Sequence, residues 1–147
     1  MQKSSRLAIY ALMELAANPD RQISASEIGE KYRVSSHHLA KVFISLGRAG
    51  LVQSIRGVGG GYSFTGNAKR LTLLDIISLF EDTSSACKLN DPSKATDEEW
   101  VMFDISKEIN DMALATYGSI TIATLLKQVD RRGRIRAAKS DGTPALT

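Results

Sequence analysis

The first half of the chain changes its hydrophobic period several times. From Ser4 to Ala17, Ile9, Leu12, Leu15 and Ala16 fall on one helical face, and Asn18-Pro19 stops the run. After the turn Asp20-Arg21-Gln22, the run Ser24-Ala25-Ser26-Glu27 has the form of a capping box, so a second helix is expected over about Ala25 to Tyr32. Arg33-Val34-Ser35 makes a short break. From Ser36, the apolar residues Leu39, Val42, Phe43 and Leu46 recur at i, i+3, i+4 and i+7, the pattern of an amphipathic helix that Gly50 ends. Two helices joined by so short a turn give a helix-turn-helix outline. The outer face of the second offers His37, His38, Lys41, Ser45 and Arg48.

The period then shortens. Leu51 to Ile55 reads as a strand, Arg56-Gly57-Val58-Gly59-Gly60-Gly61 as a turn that glycines make freely, and Tyr62-Ser63-Phe64 as a returning strand. Thr72 can cap a fourth helix with a stripe of Leu73, Ile76, Ile77 and Phe80, and the compact unit is expected to end near Asp82. Thr83 to Thr96 has loop composition. From Asp97, the residues Trp100, Val101, Ile105, Ile109, Met112, Ala113 and Thr116 predict a helix of about five turns. Gly118 is expected to break it, a short last helix to run near Ala123 to Val129, and the tail from Arg131 to Thr147, which has no apolar period, to be disordered.

Composition changes the picture mainly through exclusion. At 147 residues the chain has room for one core. It contains no apolar run of the length that crosses a bilayer and no secretory cleavage signal, so a cytoplasmic location and no membrane partner are expected. The single cysteine, Cys87, excludes an intrachain disulfide, and the adjacent His37 and His38 lack the spacing of two ligands on one helix face, so no metal site is expected. With no nucleophile–base pair or carboxylate cluster in view, an enzyme is a poor reading.

The net charge of +3 hides a strong asymmetry. Between Lys31 and Leu74 stand seven basic residues and no acidic one, whereas residues 83–127 carry four basic and seven acidic residues, and 128–147 five basic and two acidic. A helix pair and a glycine hairpin inside an acid-free basic block are the parts a duplex-binding module needs, one for the major groove and one for the backbone or minor groove.

These residues resemble the Rrf2 family of bacterial regulators, the group that includes IscR and NsrR. The likeness is carried by Arg6-Leu7-Ala8-Ile9, Leu15-Ala16-Ala17, Ile28-Gly29, Val34-Ser35 and His38-Leu39-Ala40-Lys41-Val42-Phe43, and by Ala49-Gly50-Leu51-Val52 and Leu71-Thr72-Leu73-Leu74-Asp75-Ile76-Ile77. Its most distinctive part is Ser54-Ile55-Arg56-Gly57-Val58-Gly59-Gly60-Gly61-Tyr62. The resemblance implies a mainly α fold with a small β-hairpin. A winged helix-turn-helix would occupy residues 1–82, an effector or sensor loop 83–96, a dimerisation helix and its return 97–129, and a basic disordered tail 130–147.

It further implies a homodimer that binds double-stranded DNA at a partly palindromic operator as a transcriptional regulator, with repression expected. The candidate DNA-binding residues are Ser35, Ser36, His37, His38, Lys41 and Arg48 on the third helix and Arg56, Gly59 and Tyr62 in the wing. Arg56 falls where the family places its wing-tip arginine in the minor groove. Trp100, Ile105, Ile109 and Met112 are the candidate dimer residues.

Several readings stay open. Ser35 is also a helix cap, and His37 and His38 read equally as solvated surface. Many members of the family hold an iron–sulfur cluster with three cysteines, and this chain keeps only Cys87, so no cofactor is expected. Cys87 is then either a thiol sensor, with Lys88 beside it to lower its pKa, or a vestigial residue, with an intersubunit cluster as a remote third. A small effector binding beside Trp100, Met102 and Phe103 is a further possibility. The alternative function is a regulatory partner of a metabolic enzyme with weak or conditional DNA binding.

Overall fold

A computed structural model describes residues 1–84 and 87–142. Helix α1 (Lys3–Ala17) turns Leu7, Ala8, Ala11, Leu12 and Leu15 inward. Helices α2 (Ala25–Tyr32) and α3 (Ser36–Arg48) follow, then strands β1 (Val52–Ile55) and β2 (Gly61–Phe64) and the short helix α4 (Leu73–Ile77). The long α5 (Asp97–Ser119) and α6 (Ile122–Ser140) complete the chain.

The capping box at α2 forms as the sequence predicts: the Glu27 N–H donates to Ser24 Oγ at 3.1 Å and the Ser24 N–H to the Glu27 carboxylate at 3.0 Å. The turn between α2 and α3 is closed by the Val34 N–H donating to the Gly29 carbonyl at 2.8 Å. A Cβ on Gly29 would stand 2.6 Å from the Val34 carbonyl oxygen, so only glycine lets the two helices approach this closely. β1 and β2 pair antiparallel, with Val52 opposite Phe64 and Ile55 opposite Gly61. Tyr62 also exchanges backbone hydrogen bonds with Ile23, at 3.0 and 2.9 Å, which ties the hairpin to the loop before α2.

The C-terminal segment returns to this unit. The Leu73 N–H donates to the Ile120 carbonyl at 2.8 Å, and the Ile122 N–H to the Leu71 carbonyl at 3.0 Å. The side chain of Ile122 is fully buried in one cluster with Leu12, Phe43, Leu46 and Ile76. The core therefore extends beyond Asp82. α6 lies along α1 and α5 against α4.

Three expectations need correction. α4 is shorter than its apolar stripe, because beyond Ile77 the chain tightens into turns in which the Phe80 N–H meets the Ile77 carbonyl. Gly118 does not break α5; the break falls at Ile120, which is extended so that it can pair with Leu73. The expected disordered tail from residue 130 is helical to Ser140. Alanine, arginine and lysine are strong helix formers, and the missing apolar period marks a helix that is not buried rather than a segment without structure. Residues 143–147 of that tail, and Ser85 and Ala86 of the loop 83–96, lie outside the described residues.

Gln2 gives α1 no side-chain cap. The helix start is met instead by Glu81, whose carboxylate accepts the Gln2 N–H at 2.8 Å and the hydroxyl of the fully buried Ser5. Burial opposes ionisation of Glu81, but the Ser5 hydroxyl, the Gln2 N–H and the Met1 ammonium outweigh it and hold its pKa below the usual carboxylate value. A carboxylate whose folded pKa is depressed stabilises the fold above its unfolded pKa, and that contribution is lost as pH falls through the lower folded value. Glu81→Gln should therefore lower the urea midpoint at neutral pH, with the gap to wild type shrinking below about pH 4.

Candidate DNA interface

The recognition helix is positioned by its own amphipathic pattern. Leu39, Val42, Phe43 and Leu46 are all buried, which drives the opposite side of α3 outward. Its first turn is capped by Ser35, whose Oγ accepts the His38 N–H at 3.3 Å. The exposed face carries His37, Lys41, Ile44 and Arg48 at i, i+4, i+7 and i+11, with Ser35 and Ser36 exposed at its N-terminal end. His38 turns aside: it is half-buried, and its Nε2 lies 3.4 Å from Ser4 Oγ on α1.

In the wing, Arg56, Gly57, Val58 and Gly59 are all exposed, and Gly59 has φ 74°, a left-handed conformation that a side chain would strain. Tyr62 does not join them. Its ring stacks on Phe43 with centroids 3.8 Å apart and planes 5° from parallel, so the residue expected to touch DNA instead locks the wing to the recognition helix.

Sequence reasoning missed two residues. Ile44 is 55% exposed in the middle of the polar stripe of α3, where an apolar side chain can meet a thymine methyl group. Val58 is fully exposed at the wing tip beside Arg56, the place for an apolar wedge in a minor groove. The signal for Ile44 was present, since it falls opposite the Leu39–Phe43 stripe. Val58 sits in a turn, where no period applies.

The electrostatics follow the sequence block. Lys31 is taken up by Glu14, but among the described residues none of Arg33, Lys41, Arg48, Arg56, Lys69 and Arg70 is in an ion pair. Cationic side chains left without carboxylates, on α3 (Lys41, Arg48), in the wing (Arg56), and in the turns before α3 and α4 (Arg33, Lys69, Arg70), form a surface suited to phosphates.

This chain matches the family model Rrf2, described as an iron-dependent transcriptional regulator, over residues 1–128. It belongs to the Rrf2 family. A Rhodopseudomonas palustris protein named as an HTH-type transcriptional regulator, BadM, is 46% identical over 145 residues, covering 99% of this chain and 92% of that protein. The solved structure of CymR, the global cysteine regulator of B. subtilis, superposes with a TM-score of 0.71 at 26% identity, covering 87% of this chain and 96% of that one. IscR of T. potens superposes with a TM-score of 0.65 at 25% identity over 88% of this chain and 87% of that one. The winged helix-turn-helix and DNA-binding transcription regulation are thus those of the Rrf2 family.

The iron in the family's description finds no matching donors within one chain. Cys87 is the single thiol, and no group of three or more His, Cys, Asp or Glu side chains able to hold a metal is assembled among the described residues. Cys87 is half-exposed between the loop and α5, beside Leu89, Met102, Phe103 and Leu114. Lys88, expected to act on the thiol, has its Nζ 3.4 Å from a carboxylate oxygen of Asp82 instead.

On α5, Ile105, Ile109 and Met112 lie on one exposed ridge with Val101, each between 47% and 59% exposed. Trp100 is not on that ridge. Five residues before Ile105 place it about 140° round the helix, where it meets Phe103 edge-on at 5.7 Å. No described helix is long and apolar enough to cross a membrane.

Three substitutions should separate the roles in a filter-binding or anisotropy titration. Lys41→Ala should weaken all sequences alike and lower the salt slope by about 1, and Arg56→Ala should do the same while relaxing any preference for A·T pairs under the wing. Ile44→Ser should leave the slope unchanged and cost about 1 kcal/mol only on sites with thymine under α3.

Proposed function

We propose that the protein is a homodimeric repressor that occupies a partly palindromic operator and so blocks transcription. The single observation that carries this reading is the pairing of two surfaces: an unneutralised cationic face on α3 and the wing, and an apolar ridge on α5 too exposed for an isolated chain. Val101, Met102, Ile105, Ile109 and Met112 form a contiguous strip, and water-exposed strips of this kind mark association sites. A two-fold axis through that strip would present two copies of α3 to successive major grooves, which demands half-sites about one or more helical turns apart.

In this reading His37 meets bases from α3, Lys41 and Arg48 meet phosphates, and Arg56 enters the minor groove. The protein works in the cytoplasm by binding and not by catalysis. It does so without an iron–sulfur cluster of its own, since one thiol per chain cannot supply the usual ligand set. Modulation enters through the loop around Cys87, where a small effector or thiol chemistry would act on the N-terminal turns of α5.

Selection of genomic fragments by the purified reduced protein tests the proposal. Enrichment of a palindrome by wild type and its loss in Arg56→Ala, with a reporter behind that sequence silenced by the protein, is the expected result. Enrichment of asymmetric single half-sites would sink the dimer, and a reporter switched on would sink repression. Mild peroxide should change wild-type affinity and leave Cys87→Ser unchanged if the thiol is the sensor; equal responses assign modulation to another effector.

A further inference from the structure

The part of the chain that the cationic interface does not use is the second half of α6. Residues 127–140 continue as a helix after the packing against α1 has ended, and nearly all of them are exposed. They carry six basic residues and one acidic one, Asp130. Among the described residues none of the six cations is in an ion pair.

Such a helix is poorly supported by itself. Lys127 and Arg131, and Arg132 and Arg136, stand at i and i+4, where like charges repel; only Asp130, four residues before Arg134, offsets them. Gly133 interrupts the helix formers, and a length of about 14 residues is marginal in water even for good sequences. A surface that supplies negative charge and some apolar cover would remove both weaknesses.

α5 has both. It carries six acidic residues and one lysine, the mirror image of the α6 extension. Asp97, Asp104, Glu108 and Asp111 share one side of that helix, immediately beside the exposed ridge of Val101, Ile105 and Met112. The extension offers the complementary pattern: Val129, Gly133 and Ala137 prolong the face that begins at Ile122 and Leu126, free of charge along its whole length, with arginines on both flanks. A phosphate backbone has no use for an uncharged stripe, whereas a protein surface does. Among the described residues α6 packs chiefly along α1 and α5 along α4, so the two helices are directed to different partners within the chain.

We infer that residues 127–140 form an arm that docks on α5 of a second copy, its arginines against the partner's acidic side of Asp97, Asp104, Glu108 and Asp111 and its uncharged stripe turned toward the border of that side with the ridge, which itself pairs with the other ridge across the two-fold axis. The inference rests on the homodimer proposed above and adds a second contact to it. It places the arm largely beyond the part of the chain matched by the family model, which ends at residue 128. It also explains why α5 is acidic in a protein that binds a polyanion: those carboxylates are spent on the partner's arm and not left to repel DNA.

A charge-exchange experiment on the full chain tests this. One variant carries Arg132→Glu, Arg134→Glu and Arg136→Glu, the other Asp104→Lys and Glu108→Lys, with circular dichroism to confirm retained helix. Each homodimer should dissociate at least about tenfold more readily than wild type, while mixing the two should give heterodimer in clear excess over the statistical half by native mass spectrometry. The wild-type dimer should itself loosen about tenfold between low salt and about 0.5 M salt. Glutamine in place of the three arginines keeps the experiment informative should reversal unwind the arm, the expected sign being the same weakening.

A wild-type chain that stays monomeric at every salt concentration overturns the dimer itself. A stable dimer with no heterodimer preference and no salt response overturns the arm alone. Unchanged dimerisation with a loss of non-specific DNA affinity overturns it in favour of DNA as the arm's partner.

Discussion

The stacking of Tyr62 on Phe43 is the contact on which the DNA-facing geometry depends. Phe43 belongs to the buried side of the recognition helix and Tyr62 to the returning strand of the wing, and their rings lie 3.8 Å apart and nearly parallel. Because Tyr62 is also paired through its backbone with Ile23 and Ser54, one aromatic pair fixes α3, the hairpin and the loop before α2 relative to one another. A helix in one groove and an arginine in the next can only act together if their separation is set. This pair sets it with apolar contact alone, leaving every charged side chain of the neighbourhood free to face the phosphates.

Much of the fold was legible because its elements announce themselves through period and caps. Ser24 with Glu27, Ser35, and Thr72 with Asp75 each sit where the helix starts, and the Leu39 to Leu46 stripe predicts the inner face of α3. What escaped was tertiary. Tyr62 reads as a wing residue because its strand is short and next to Arg56, and only the packing shows that its ring is turned to the core. Ile122 reads only as part of the lead-in to a minor helix near Ala123, because nothing local distinguishes a residue that closes a distant core from one that packs beside its neighbours. The reach of α6 is hidden for a different reason: a segment without an apolar period reads as unstructured, although charged helix formers need no buried face to be helical.

The candidate site shows the same division. Lys41, Arg48 and Arg56 were visible from charge, since a basic block without a single carboxylate is a statement that sequence makes directly. His38 was assigned by position and turns out to face Ser4, where it joins the recognition helix to the start of α1. That start is itself held by Glu81, the last residues before the loop that contains Cys87. Two polar contacts, Glu81 to Ser5 and Ser4 to His38, therefore meet at the first turn of α1, joined by its backbone.

The burial of Ile122 bears on the order in which the protein is made. The candidate DNA contacts on α3 and in the wing are translated before residue 63, yet the cluster of Leu12, Phe43, Leu46 and Ile76 also includes Ile122, which follows the whole of α5. A nascent chain that has emerged only as far as the wing carries α3 and the hairpin on an incomplete core. Its recognition helix already packs on α1, α2 and β1, but the cluster beneath it lacks Ile122 until α5 has been synthesised. The last piece of the core under the DNA-binding unit is thus delivered only after the long helix, so the winged helix-turn-helix is finished as a fold later than it is finished as a sequence.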